Sequence, residues 1–128
     1  MRKQLFVTVF CLVCLAGTAK ADAKRVQIVR EAAEQGDPAA QNKLGVFYEI
    51  GASVEQNDAE AAKWFRMAAD QGHGEAMYNL GELYEAGRGV PQDMKKAIAL
   101  YKESCEHDCR CGCRRYRELM DEELKRCE

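Results

Sequence analysis

The stretch Leu44-Gly45-Val46-Phe47-Tyr48-Glu49-Ile50-Gly51-Ala52-Ser53-Val54 decides the fold, because it returns as Leu80-Gly81-Glu82-Leu83-Tyr84-Glu85-Ala86-Gly87-Arg88-Gly89-Val90. Leu, Gly, Tyr, Gly and Val recur in register at an offset of 36 residues. A fixed period of this length marks a solenoid of helix-turn-helix repeats. Each two-helix unit buries only one side by itself, so neighbours must stack to close a core.

Working outward from this phrase, Lys24 to Gln35 reads as a helix on Val26, Ile28, Val29, Ala32 and Ala33, stopped by Gly36. Asp37 caps the next helix and Pro38 suits its first position. That helix carries Ala40, Leu44, Gly45, Phe47 and Tyr48 and ends at Gly51. Asn57, with Glu60 three residues later, resembles a capping box. It opens a helix on Ala61, Ala62, Trp64, Phe65, Ala68 and Ala69 that stops at Gly72. The cycle then repeats with Ala76, Leu80, Gly81, Leu83 and Tyr84, the turn from Val90 to Asp93, and Ala97, Leu100, Tyr101 and Cys105.

The register extends beyond both copies. Ala68-Ala69-x-Gln71-Gly72 maps back onto Ala32-Ala33-x-Gln35-Gly36, so residues 22–36 form the second half of a repeat. Forward, Ala76 maps to Gly112, Met77 to Cys113, Leu80 to Tyr116 and Tyr84 to Met120. A capping helix at about 113–127 is expected, with Cys113, Tyr116, Met120, Leu124 and Cys127 as its apolar stripe. The expected fold class is all-α: an α/α solenoid of antiparallel helix pairs over residues 22–128. Two full repeats, at about 38–72 and 74–108, are flanked by two half-repeats. Gly45, Gly81 and the Ala-Ala pairs let helices approach closely. Trp64, Phe65, Tyr48, Tyr84 and Tyr101 fall on repeat-core positions, and His73 on a turn.

Residues 1–21 stand apart. Arg2 and Lys3 precede an apolar run from Leu5 to Leu15, and Ala19-Lys20-Ala21 is a small-x-small cleavage signal. This reads as a secretory signal peptide cut after Ala21, too short to span a membrane, and it places the protein in the periplasm or outside the cell. No membrane insertion is expected after cleavage. Of 19 basic residues the segment removes three and of 21 acidic residues none, which leaves a net charge of −5. That balance argues against nucleic acid as a partner and against a polybasic membrane anchor.

Cys105, Cys109, Cys111, Cys113 and Cys127 all lie in the last quarter of the chain. Export makes disulfides the default, and an odd number leaves at least one thiol free or bonded to another molecule. Cys127 is 14 residues past Cys113, roughly 21 Å along a continuous helix. Bridged cysteines need Cα atoms within about 7 Å. Cys127 is therefore the thiol expected to stay free or to link two chains in a dimer. Cys105, His107, Cys109, Cys111 and Cys113 also offer a soft-metal set for zinc or Cu(I), although Cys-x-Cys-x-Cys lacks the Cys-x2-Cys spacing of zinc modules. No bound cofactor is expected.

Two-helix repeats bind through the exposed face of their first-type helices. The columns Asn42/Tyr78/Arg114, Lys43/Asn79/Arg115 and Val46/Glu82/Glu118 differ between repeats while core positions stay similar. Lys43, Val46, Tyr78, Asn79, Glu82, Arg114 and Arg115 are thus the candidate partner-binding face, with Tyr78, Asn79 and Glu82 the foremost. These columns are expected to be free of packing duty. No catalytic constellation stands out: Ser53 and Ser104 are the only serines, and neither lies in a nucleophile motif.

The motifs Ala40-Gln41-x-x-Leu44-Gly45-x-x-Tyr48-x-x-Gly51, Trp64-Phe65-x-x-Ala68-Ala69-x-x-Gly72-His73 and Leu80-Gly81-x-x-Tyr84-x-x-Gly87-x-Gly89-Val90 resemble the Sel-1-like repeat family, relatives of the tetratricopeptide repeats. The match covers roughly residues 32–105. The first loop departs from the pattern, with Ser53 in place of Gly89 and Glu55 in place of Pro91, so a less regular turn is expected there. The resemblance implies a scaffold for protein interactions in the bacterial envelope, with another protein as partner. Similarity to secreted cysteine-rich members implies a Cys-x7-Cys staple between Cys105 and Cys113, tying successive helices together. Those members are associated with penicillin binding and weak β-lactamase activity, which makes a β-lactam-directed activity the alternative.

Overall fold

The computed structural model describes residues 22–127, and the proposed signal peptide lies outside the described residues. Six helices and no strand occur among them. They are α1 (22–34), α2 (Pro38–Ile50), α3 (Asp58–Ala69), α4 (Gly74–Ala86), α5 (Met94–Glu106) and α6 (Arg110–Cys127). Each helix packs on its sequence neighbour from α2 to α6, and α4 also touches α6 directly. This is the expected α/α solenoid.

The helix ends follow from cap chemistry. Asp37 accepts from the Ala39 N–H, and His73 accepts through Nδ1 from the Ala76 N–H. Asp93 accepts from the Lys96 N–H. Asn57 accepts from both Ala59 and Glu60, but the reciprocal half of the capping box does not form. The Asn57 N–H donates instead to the Tyr48 carbonyl at 2.9 Å, as the Asp93 N–H donates to Tyr84 one period later. The loop itself consumes the donor that Glu60 would have met.

The expectation of an irregular first turn is overturned. Ser53 adopts φ 57° where Gly89 adopts 67°. Gln56 donates to the Glu49 carbonyl as Gln92 donates to Glu85, both at 2.9 Å. The same bond pattern holds both turns, and Ser53 bears the left-handed strain that glycine avoids.

The core runs along the seams between helices. Phe65 and Tyr101, one period apart, are fully buried with Leu44 and Leu83. Tyr48, Tyr84 and Trp64 are half-buried against the same clusters. The Tyr48 and Tyr84 hydroxyls accept from Arg30 and Arg66, again one period apart. Gln41 is buried but satisfied: its amide donates to the Ala33 carbonyl and its oxygen accepts from Gln71, joining α1, α2 and the turn after α3.

The last helix differs from expectation in start and in stripe. It begins at Arg110, because Cys109 takes the place that His73 takes before α4. The Cys109 N–H donates to the Ser104 carbonyl, and the Cys109 carbonyl accepts from Cys113. Its buried residues are Gly112 and Leu119, with Tyr116 half-buried, whereas Leu124 is 67% exposed and Cys127 is exposed. The packing face is thus turned away from the Met120–Leu124–Cys127 line. Among the described residues, no helix is long and apolar enough to cross a membrane.

Candidate functional site

α4 and α6 are successive first-type helices, and the loop after α4 folds beside them. Between them lies an open groove of about 520 Å³, lined by Tyr78, Glu82, Glu85, Arg88 and Arg115. Tyr78 leans on Tyr101 from α5, with ring centroids 5.6 Å apart at 44°. Its hydroxyl donates to Glu82 at 2.7 Å. Burial, reinforced by the Glu82 carboxylate, pushes the Tyr78 pKa up to about 12.

Two ion-paired networks frame the groove. The Tyr101 hydroxyl donates to Glu85 at 2.6 Å, and Arg115 pairs with the same carboxylate. The Arg115 hydrogen bond holds Glu85 below the ordinary carboxylate pKa, although burial opposes it. The same bond raises the Arg115 pKa. Arg88 bridges repeats: it forks onto Asp58 at 2.9 and 3.2 Å and reaches Glu49 at 3.1 Å. Asp58 raises its pKa. Planar, bidentate pairs of this kind fix geometry as well as charge. These pairs hold the groove wall in place and leave the Tyr78 edge and the exposed Glu82 carboxylate on its open side.

The sequence-derived face is only partly brought together. Tyr78, Glu82 and Arg115 share the groove. Lys43 is exposed on α2, and Arg114 is exposed with Glu118 4.0 Å away. Four positions carry packing duty that the column argument denied them. Val46 packs against the Phe65 cluster, Asn42 is buried, and Asn79 donates to Asn42 at 3.0 Å to tie α4 to α2. Tyr78 itself covers the Tyr101 cluster. Successive first-type helices touch through the Asn79–Asn42 bond and the direct α4–α6 contact, so the columns nearest these seams pack. Sequence reading missed Glu85 and Arg88. The recurrence of Glu49 and Glu85 in register was the available signal for one of them; nothing in the repeat marked Arg88, which replaces Ala52.

The cysteines lie at the α5–α6 corner. Cys105 and Cys113 sit at disulfide distance, with Cα atoms 4.4 Å apart, while Cys109, Cys111 and Cys127 are free thiols. Two members of the soft-metal set, Cys105 and Cys113, thus lie against each other. Among the described residues no group of three or more His, Cys, Asp or Glu side chains is arranged to hold a metal. Ser104 is buried and donates to the Gly74 carbonyl at 2.7 Å.

A family model described as Sel1 repeat matches residues 38–73 and 74–109. The comparison with curated proteins found no match. Among solved structures, a Sel1 repeat protein from Oxalobacter formigenes superposes with a TM-score of 0.75 at 31% identity, over 86% of this chain and 45% of that one. The protective antigen c5321 of uropathogenic Escherichia coli, which displays an SLR fold, gives 0.64 at 39% identity, over 66% and 18%. Cysteine rich protein B of Helicobacter pylori gives 0.67 at 27% identity, over 70% and 68%. The chain thus spans less than half the length of the Oxalobacter protein.

Proposed function

Because the chain belongs to the Sel1 repeat family, whose members typically bind other proteins, we propose that it is an exported interaction module of the bacterial envelope that holds its partner in the α4–α6 groove. The observation that carries this reading is the groove itself. Its charged walls are already paired, yet Tyr78 and Glu82 present an aromatic edge and a carboxylate to solvent. Interfaces draw much of their binding energy from such aromatic anchors. Export rests on the basic, apolar and small-x-small order of residues 1–21 and the cysteine-rich end.

Affinity capture from envelope extract tests the groove. A specific partner retained by the wild type and lost on Tyr78→Ala plus Glu82→Lys, with the helical circular dichroism retained at the assay temperature, supports it; a partner indifferent to both substitutions sinks it. The Cys105–Cys113 staple is part of the same reading and is supported by the 4.4 Å Cα separation. Peptide mapping without reductant decides it, since Cys105 recovered as a free thiol removes the staple. A dimer linked through the exposed Cys127 is checked on a non-reducing gel against Cys127→Ser. No observation favours the β-lactam alternative: Ser104 is buried behind its bond to Gly74. Nitrocefin turnover abolished by a single substitution would restore it.

A further inference from the structure

The 36-residue register leaves an open half-repeat on either side of the two complete ones. α1 stands in the second-type place, since Ala32-Ala33-x-Gln35-Gly36 returns as Ala68-Ala69-x-Gln71-Gly72. Among the described residues no first-type helix covers its far side. Ile28 is accordingly 58% exposed where Trp64, one period later, is half-buried against α2. α6 stands in the first-type place and packs on α5 and α4. Its other side carries Arg117, Asp121 and Leu124, all exposed.

The two open sides are the two halves of one repeat. Inside a complete repeat the helices run antiparallel, with Gly81 beneath the Tyr101 ring and Glu85, one turn on, bonded to the Tyr101 hydroxyl. One period forward, Gly81 becomes Arg117 and Glu85 becomes Asp121. Two periods back, Tyr101 becomes Val29, and Ala97, one turn before it, becomes Arg25. The register therefore sets Arg117 against Val29 and Asp121 against Arg25.

Both pairs are complementary. In the complete repeats a large ring lies on a glycine. Here valine takes the place of the ring, and the arginine stem fills the space that the ring leaves. Arg25 and Asp121 are both exposed and carry opposite charges. Ile28 comes against Tyr116 and Met120, the counterparts of Leu44 and Tyr48 in the cluster that Trp64 covers. Four helices separate α1 from α6 within one chain, so the two halves meet between copies.

We propose that α1 of one copy docks on α6 of a second copy and completes a further repeat across the junction. The contact is head-to-tail. Each added copy presents the same two ends, so assembly is open-ended.

Sedimentation velocity of the full chain reads the association, in reductant so that Cys127 cannot link copies. The average mass should climb beyond that of a dimer as the concentration rises towards about 1 mM. A monomer throughout, or a plateau at the dimer, overturns the proposal. Arg25→Glu and Asp121→Arg each set like charges across the junction, and each variant alone should associate roughly tenfold more weakly. Mixed in equal amounts, the two should assemble again, because each supplies the charge that the other reversed. Variants that associate as well as the wild type, or a mixture that stays dissociated while each retains its helical circular dichroism, refute it. Rescue on mixing also separates a lost contact from a lost fold.

Discussion

Gly81 lies so close beneath the ring of Tyr101 that a Cβ on it would stand 2.7 Å from Cε1. Gly45 and Phe65 repeat the contact one period earlier at 2.6 Å. In both cases a first-type helix has no side chain where the second-type aromatic lies flat.

Gly81→Ala should therefore destabilise the protein by about 1–3 kcal/mol, the ordinary cost of forcing an extra carbon into a packed core. Denaturant unfolding measures it. Tyr101→Leu combined with Gly81→Ala should cost less than the two changes summed, since the leucine leaves room for the methyl. Strict additivity would show that the ring and the helix do not compete for that space.

Ser53 makes the opposite prediction. It holds φ 57° in a turn whose later copy uses Gly89. A non-glycine residue in the left-handed region costs on the order of 1 kcal/mol. The hydrogen bonds around both turns already match, so Ser53→Gly should raise stability by up to that amount, read as a higher urea midpoint at unchanged slope. A lower midpoint would mean that the serine hydroxyl supplies something the backbone geometry does not show.

The repeat period made the architecture legible because packing and turn geometry are periodic. Leu44 with Leu80, Gly51 with Gly87 and Asn57 with Asp93 each do one job twice. The groove was less legible because it is built from exceptions. Arg88 stands where the earlier turn has Ala52, yet it joins two repeats through Asp58 and Glu49. Val46 and Asn42 looked free because their columns vary, but a seam between stacked helices packs varied side chains as readily as uniform ones. The start of α6 was obscured by its cysteines, which hid a cap position already marked one period earlier by His73.

Glu85 ties pH to stability. Its pairing with Arg115 sets its folded pKa below the ordinary 4.5. The sign follows from linkage: a carboxyl with a depressed folded pKa contributes stability that is complete above the unfolded value and lost as pH falls through the folded one. Glu85→Gln keeps the hydrogen-bonding shape but not the charge. It should lower stability at pH 7 and flatten the decline on acidification below about 4.5. An acid limb as steep as that of the wild type would place the pH dependence on other carboxylates.

Tyr78 extends the same logic to alkaline solution. Its folded pKa stands near 12 against an ordinary 10.0, because the phenolate is desolvated against Tyr101 and faces Glu82. The folded state holds this proton more tightly than the unfolded chain does. Its contribution is therefore complete below 10.0 and drains away as pH climbs toward 12. Tyr78→Phe keeps the ring contact and deletes the ionisation. The difference between the wild-type and Tyr78→Phe phenolate absorbance curves should be one titration centred near 12. The variant should also lose less stability than the wild type across that interval. A difference curve centred at 10.0 would mean that Tyr78 swings out of the groove, which would remove the aromatic edge offered to a partner.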